Sequence, residues 1–339
     1  MQLSKKMVTE TSRIQRWHTE DIDEQSGLLP GWEQEYRQLS CGKFTGSIST
    51  AHGPHVTVVG EQTNQSLHES VVPPAGHLVF ALVLNDDEAL RVNRRPVTTT
   101  SLLVLEGGKE YDLRTSGSTE LLGIAFERDW LFERHDRQHA ASVEDVLKRC
   151  VVPLDRMGTS ILRNFWLILS HILQREVDWP ASMPLTLVAD TALNNLLLAL
   201  NMSGPPPVAP SPGPSARDGT VTQQAIRFMR THLDRLGSIE DVCAAIHVSR
   251  RTLHNHFEKC LHMSPQQYLK ILRLNVARSL LRDTATRRNH VGRHPTIAEI
   301  AAQCGYDHAS RFAGDYKRQF GMLPSETVRE TARLATLRS

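Results

Sequence analysis

The chain has 339 residues, 40% of them hydrophobic and 22% charged, so it is long enough for two globular domains and has the composition of a soluble protein. Its five cysteines are an odd number without CxxC spacing, which argues against a disulfide framework and against a zinc cluster. The first residues contain no apolar signal segment, so we expect the protein to reside in the reducing cytoplasm.

The charge is divided unevenly, although the net charge is only +2. Residues 220–339 hold 19 Lys+Arg against 10 Asp+Glu, whereas residues 1–219 hold 20 against 27. Such a split is typical of a polyanion-binding half joined to an acidic half, but it also fits an ordinary solvated basic face. Charge alone leaves both interpretations open.

Short β-prone runs alternate with turn residues between about residues 43 and 126. This spacing predicts a small antiparallel barrel or sandwich. The runs are Phe44–Ser49, Val56–Val59, Leu78–Leu84, Leu102–Leu105 and Leu121–Phe126.

Two amphipathic helices are predicted after the strands, within residues 141–202. Apolar residues recur at helical spacing from Ile161 to Leu173 and from Leu185 to Leu200. These helices either cap the core of the barrel or expose an apolar stripe as a dimer interface. Asp190 and three asparagines interrupt the second helix, so we expect no membrane-spanning segment.

Residues 203–219, SGPPPVAPSPGPSARDG, read as an extended, semi-rigid spacer that cannot be helical. We therefore predict a first domain over 1–202, with the barrel at about 32–130 and the helices at about 141–202. The linker covers 203–219, and a second domain covers 220–339.

The second domain contains strong signals for the start of helices. Ser238, Ser264 and Thr296 are N-cap residues, each followed three residues later by Asp, Gln or Glu. Two of these helices are followed by a tight break and another helix. The pairs are Ser238–His247 with Arg250–Cys260, and Thr296–Cys304 with about 308–320.

Each second helix of a pair buries one stripe and leaves polar residues outward. Leu253, Phe257 and Leu261 repeat at four residues, as do Phe312, Tyr316 and Phe320. Arginine and asparagine on an outward face can make paired hydrogen bonds to guanine and adenine, although an ordinary exposed helix has the same pattern. The helix between the pairs, Ser264–Asp283, has about 20 residues and hence a length of about 30 Å, close to the repeat of B-DNA.

The stretches VSRRTLHNHFEKCLHMSPQQYLKILRLNVARSLL (Val248–Leu281) and IAEIAAQCGYDHASRFAGDYKRQFGMLPSE (Ile297–Glu326) resemble the DNA-binding domain of the AraC/XylS family. The resemblance implies two helix-turn-helix motifs joined by the long helix, and promoter double-stranded DNA and RNA polymerase as partners. The family's base-reading positions correspond to Arg251, His254 and Asn255 in the first motif, and to Ala309, Ser310, Ala313 and Gly314 in the second. The predicted DNA-binding set also includes Ser249, Arg250 and Thr252 in the first motif, and Arg311, Lys317 and Arg318 as phosphate contacts in the second.

The second motif has small side chains where the family's base-reading residues stand. The family often has arginine at the position of Gly314, and usually threonine or serine at that of Leu323. We therefore hypothesise that the first motif supplies most of the sequence discrimination and the second mainly contacts phosphates. The loop Thr284–Pro295, with Arg287, Arg288 and Arg293, is longer than expected and either clamps phosphate or is simply solvated.

The stretch WEQEYRQLSCGKFTGSI (Trp32–Ile48) resembles the start of the sensor domain of the ethanolamine-utilisation regulators. This resemblance implies a cupin-like ligand-binding barrel, a small-molecule effector such as a small amine, and a homodimer. Glu61, Glu69 and Glu110 could pair with an amine, or each could be solvated at the surface. Together the two resemblances predict a ligand-responsive transcription activator. The main alternative is a constitutive DNA binder whose barrel only dimerises.

No enzymatic function is expected. The barrel region has four histidines, His52, His55, His68 and His77, but neither the HxH start of a metal-binding cupin nor a following His–acid spacing. GxSxG, P-loop and dinucleotide-binding motifs are absent from the sequence as well. The predicted fold class is therefore α+β with two domains, a cupin-like β-barrel with a helical hairpin and then an all-α tandem helix-turn-helix domain, without catalytic residues, cofactor or metal.

Overall fold

The computed structural model describes residues 14–85, 90–133, 146–175, 184–202, 215–233, 235–286 and 294–337. The chain divides into two compact units. The N-terminal unit comprises Met1–Tyr36 and Phe44–Pro207, and the C-terminal unit comprises Arg37–Lys43 and Val208–Ser339. The heptapeptide Arg37–Lys43 is thus part of the C-terminal unit, although it lies early in the sequence.

Strands of the N-terminal unit form two antiparallel sheets. Sheet A has the order β1-β3-β4-β11-β6-β9-β12, and sheet B has the order β2-β5-β10-β7-β8. The strands are β1 (Ile14–Thr19), β2 (Glu33–Gln38), β3 (Gly46–His52), β4 (Val56–Thr63), β5 (Leu67–Val72), β6 (His77–Val83), β7 (Leu90–Val92), β8 (Arg95–Val97), β9 (Ser101–Glu106), β10 (Tyr111–Arg114), β11 (Thr119–Glu127) and β12 (Val151–Pro153).

Four helices belong to this unit in the described part of the chain. They are α1 (Ile22–Ser26), α2 (Arg128–Glu133), α3 (Arg156–Gln174) and α4 (Leu185–Met202). The two amphipathic helices predicted from the sequence correspond to α3 and α4.

Two apolar cores stack the unit into three layers. One face of sheet A packs against α3 and α4, with Phe80, Phe126 and Trp166 fully buried there. The opposite face of sheet A shares a second core with sheet B, through residues such as Val79 and Leu113. Because successive side chains of a strand point to opposite faces, strands buried on both sides read as continuous apolar runs, as HLVFALV in β6 does.

The two sheets are not closed into a single barrel. All five β-prone runs predicted from the sequence overlap strands, namely β3, β4, β6, β9 and β11. Where the sequence predicts an antiparallel barrel or sandwich, the structure has two antiparallel sheets, because the hydrogen-bonded ladders end at β1 and β12 in one sheet and at β2 and β8 in the other.

Helix α4 has the length and apolar composition that would suffice to cross a membrane. Its stripe from Leu185 to Ala199 packs in the core against sheet A, as does Trp166 of α3, whose indole donates a hydrogen bond to the Leu122 carbonyl (3.1 Å). Several large apolar side chains of the two helices remain exposed: Met157, Leu167, Ile168, Leu187, Leu198 and Met202.

From Ser215 onward the described part of the C-terminal unit is built of helices. Its helices are α5 (Ser215–Thr231), α6 (Ile239–Ala245), α7 (Arg250–Leu261), α8 (Pro265–Thr286), α9 (Ile297–Gln303), α10 (Ala309–Phe320) and α11 (Pro324–Leu337). The expectation that residues 203–219 contain no helix is wrong for the last five, because the prolines end at Pro214 and α5 begins at Ser215. Of the long basic loop, Thr284–Thr286 continue α8, and Arg287, Arg288 and Arg293 lie outside the described residues.

Candidate nucleic-acid interface

The first helix-turn-helix motif consists of α6 and α7. The Asp241 carboxylate accepts a hydrogen bond from the Ser238 backbone N–H (2.8 Å) and so completes the capping box at the start of α6. Between the helices His247 has a left-handed backbone (φ 54°), and Ser249 starts α7 by accepting a hydrogen bond from the Thr252 N–H (3.1 Å). These local signals fix the angle at which α7 leaves the turn.

Helix α7 buries Leu253 and Phe257 completely and exposes its polar face. Four of the residues that the sequence assigned to DNA are exposed on that face: Arg251, Thr252, His254 and Asn255. The Thr252 hydroxyl lies 2.8 Å from the Ser249 hydroxyl. The other two have structural partners, since the Ser249 hydroxyl caps the helix and Arg250 forms an ion pair with Glu240 (2.8 Å). Because that ion pair is exposed, it contributes little and a phosphate can compete with it.

The second motif consists of α9 and α10 and repeats the same construction. Thr296 and Glu299 form a capping box at the start of α9, and Gly305 after its end has φ 79°. Phe312, Tyr316 and Phe320 form the buried stripe of α10, with ring centroids 4.7–5.5 Å apart along the series. The turn therefore requires a left-handed residue in both motifs, and only the second motif has glycine there.

The outward face of α10 presents small side chains together with three basic ones. Ala309, Ser310, Arg311, Gly314, Lys317 and Arg318 are exposed, and Ala313 is half-buried. A Cβ placed on Gly314 has no atom within 4 Å, so this face offers open space where a larger side chain would reach outward. Arg318 is tied back to Asp315 (3.3 Å), which also accepts from Lys270 (2.7 Å).

One helix, α8, belongs to the hydrophobic cores of both motifs. Tyr268 and Leu272 near its start belong to the core around Phe257, and Leu274 and Leu281 further along belong to the core around Phe312. With 22 residues it is about 33 Å long. A single rigid element thus fixes the separation of α7 and α10.

Sequence reasoning missed a cleft of about 360 Å³ between the two motifs. Lys270 and Arg273 of α8 line it together with His308 and Arg311 of the second motif, and acidic residues including Glu240 and Asp315 line it as well. Lys270 and Arg273 are three residues apart on a helix, a spacing that places them on one face, and this is the signal that could have identified them.

The heptapeptide Arg37–Lys43 is held against α8 and α10. The Gln38 backbone N–H donates to the Asn275 side-chain oxygen, and the Asn275 side-chain nitrogen donates to the Gln38 carbonyl; each hydrogen bond is 3.1 Å long. The Gln319 side chain donates to the carbonyls of Gln38 and Ser40 (3.0 Å each), and the Gln38 side chain donates to the Gln319 carbonyl (2.8 Å). Gln38 and Gln319 are both almost fully buried, so this segment is an integral part of the unit that carries the recognition helices.

Comparison with known proteins finds similarity in the region that contains both helix-turn-helix motifs. The family model described as "Helix-turn-helix domain" matches residues 242–330. Over 108 residues the chain is 32% identical to the XylDLEGF operon transcriptional activator of Pseudomonas putida, covering 32% of each protein. Over 223 residues it is 26% identical to the probable thc operon regulatory protein of Rhodococcus erythropolis, covering 62% of this chain and 61% of that protein.

Among solved structures, an AraC-type transcriptional regulator from Chromobacterium violaceum is similar to 35% of this chain, with 27% identity and a TM-score of 0.30, and 97% of that chain is covered. The present chain spans less than two thirds of the length of the curated relatives named above.

Proposed function

We propose that residues 242–330, which match the helix-turn-helix family model, form a DNA-binding domain of the AraC/XylS type, and that the chain is a transcription regulator that binds promoter DNA with two reading helices. The observation that carries the proposal is the shared helix α8. Its length of about 33 Å matches the spacing of about 34 Å between successive major-groove faces on one side of B-DNA. Two exposed recognition helices that pack on different parts of this helix can enter adjacent grooves.

The two motifs divide the work of binding in this proposal. Arg251, His254 and Asn255 of α7 read base edges, because arginine and asparagine offer paired hydrogen bonds to guanine and adenine. Arg311 and Lys317 of α10 contact phosphates, which adds affinity that does not depend on sequence. The small residues of α10, namely Ala309, Ser310, Ala313 and Gly314, make apolar contacts with thymine methyl groups.

The N-terminal unit acts as a cupin-like sensor of a small molecule and as a dimerisation domain in the same proposal. The exposed apolar residues of α3 and α4 offer a face for a second copy. Ligand binding then alters DNA affinity or contact with RNA polymerase in the cytoplasm. A constitutive DNA binder with a dimerising N-terminal unit is the competing proposal.

The DNA proposal is tested by selecting bound sequences from random duplexes with the full chain. Fluorescence anisotropy then compares the recovered sequence with a scrambled duplex at fixed salt. Specific binders discriminate by about a thousandfold or more. Equal affinity for both duplexes, with a steep dependence on salt, would indicate non-specific polyanion binding, and absence of binding would refute the proposal.

A further inference from the structure

A polar cluster lies inside the N-terminal unit, between its two apolar sheets. Glu61 is on β4 of sheet A, and Glu69 is on β5 of sheet B. The Tyr36 hydroxyl of β2 donates to Glu61 Oε1 (2.9 Å) and so joins the two sheets. The Gln25 side chain donates to the same oxygen (2.8 Å). Sequence reasoning left open whether these acids were solvated, and Glu69 is in fact only 3% exposed.

Strand register shows that Glu69 faces the interior. It lies directly opposite Leu113 on β10 and two residues from Val71, and both of these belong to the core shared by the sheets. Glu61 lies opposite Ile48 on β3, whose side chain is fully buried in the apolar cluster on the same face. Two carboxyl groups from different sheets therefore approach the same interior region.

The two acids have no cationic partner among the residues that the structure describes. Burial raises the pKa of Glu69 well above its ordinary range, and the nearby Glu61 carboxylate raises it further. Burial also raises the pKa of Glu61, although hydrogen bonds from Gln25 and Tyr36 oppose the rise. A buried carboxyl group beside a half-buried one favours holding a proton or gaining a cation, because isolated buried charge is costly.

Additional polar atoms on these faces also lack a partner. Thr63 Oγ1 and Thr50 Oγ1 are buried without a hydrogen bond in the described structure. Thr63 is two residues from Glu61 on one strand, and Thr50 is paired with Val59 on the same face. Gln34 Oε1 is also buried without a hydrogen bond in the described structure, whereas the Gln34 side-chain nitrogen donates to the Tyr36 hydroxyl (2.8 Å). Each of these atoms can accept a hydrogen bond.

We propose that this cluster binds a small primary amine in its ammonium form, through Glu61 and Glu69. A primary ammonium has one positive charge and three N–H donors, which matches two acids and a surrounding set of unused acceptors. Its alkyl part would lie against the apolar lining that includes Ile48. This inference rests on the proposed sensor role of the N-terminal unit, and it specifies the chemistry of the effector.

The test is thermal melting and titration calorimetry of the full chain with propylamine hydrochloride. Propan-1-ol serves as the neutral ligand of similar shape, tetramethylammonium chloride as a cation without N–H donors, and potassium and calcium chloride as metal ions. We expect a saturable rise in Tm with propylamine alone, because a ligand that binds only the folded state stabilises it.

Two isosteric variants identify the site. Glu69→Gln and Glu61→Gln each remove an acid while keeping its shape, and each should weaken propylamine binding by at least about tenfold. Glu110→Gln is the matched control, since Glu110 is exposed and removal of its charge should leave binding unchanged. The melting curves without ligand show whether each variant is folded.

The opposing outcomes are distinct. A shift produced by calcium or potassium but not by propylamine would assign the acceptors to a metal ion and overturn the proposal. Equal binding to wild type and Glu69→Gln, or no saturable shift with propylamine, would overturn it as well. DNA affinity measured on the same samples is independent of these results, so a failure here is distinguishable from a failure of the DNA-binding proposal.

Discussion

The heptapeptide Arg37–Lys43 is expected to stabilise the C-terminal unit through the buried side chain of Gln38. In the Gln38→Ala variant the carbonyls of Ser40, Gly42 and Gln319, now 2.7–2.9 Å from the Gln38 amide nitrogen, lose that donor. The Gly42 N–H still reaches the Gln319 carbonyl (3.0 Å), so this acceptor keeps one partner.

The magnitude follows from the two N–H groups of one amide. Each net hydrogen bond contributes about 1 kcal/mol, and a buried acceptor left unsatisfied costs more. We therefore expect Gln38→Ala to lower the free energy of unfolding of the C-terminal unit by about 2–3 kcal/mol. A change of this size is a large part of the stability of an ordinary domain.

Two optical signals separate the units in urea denaturation. All five tryptophans precede residue 203, so tryptophan fluorescence follows the N-terminal unit. Circular dichroism at a helix band also follows the helical C-terminal unit. Gln38→Ala should shift the dichroism transition to lower urea and leave the fluorescence transition in place.

Gln303→Ala provides the matched control, since Gln303 is exposed on α9 of the same unit. This control should leave both transitions unchanged. The reasoning is refuted if Gln38→Ala behaves like the control, or if it shifts the fluorescence transition alone, because the segment would then belong energetically to the N-terminal unit.

Three further substitutions test other features. His247 has a left-handed backbone where the second motif has Gly305, so His247→Gly should raise the free energy of unfolding by about 1 kcal/mol in urea, and a decrease would contradict this. Gly314 is helical, exposed and unobstructed, so Gly314→Ala should add up to about 1 kcal/mol by the same assay, whereas destabilisation would reveal a hidden contact. The raised pKa of Glu69, beside Glu61, means that the folded state holds a proton that the unfolded state releases above the ordinary value of 4.5. Stability of the N-terminal unit should therefore fall as pH rises from that value, and Glu69→Gln should reduce the fall; an identical pH dependence of the fluorescence transition would contradict it.

Local signals in the sequence predicted much of the C-terminal unit. The capping residues Ser238 and Thr296 begin helices, and the stripes at Leu253 and Phe312 are buried, because caps and helical periodicity act over a few residues. Glycine at position 305 is a similar local signal, because glycine commonly follows a helix end in the left-handed conformation. At the equivalent place in the first motif, His247 adopts the same conformation without that signal.

Long-range contacts were beyond the sequence. Gln38 and Gln319 are 281 residues apart, and no periodicity marks either as a partner of the other. The sequence could not decide whether Glu69 is buried or solvated, because strand alternation does not tell which face is buried when both faces of a sheet are covered. The short strands β7, β8 and β12, of three residues each, are too short to produce an alternation.

The central claim is that α7 reads the bases and α10 contributes affinity. It is tested most directly by fluorescence anisotropy of wild type, Arg251→Ala and Arg311→Ala with the selected duplex and its scrambled counterpart, at one salt concentration. We predict that Arg251→Ala lowers the ratio of the two affinities roughly 5- to 150-fold, which corresponds to about 1–3 kcal/mol of discrimination. Arg311→Ala should weaken binding to both duplexes about equally. An unchanged ratio for Arg251→Ala together with a lost preference for Arg311→Ala would contradict the account.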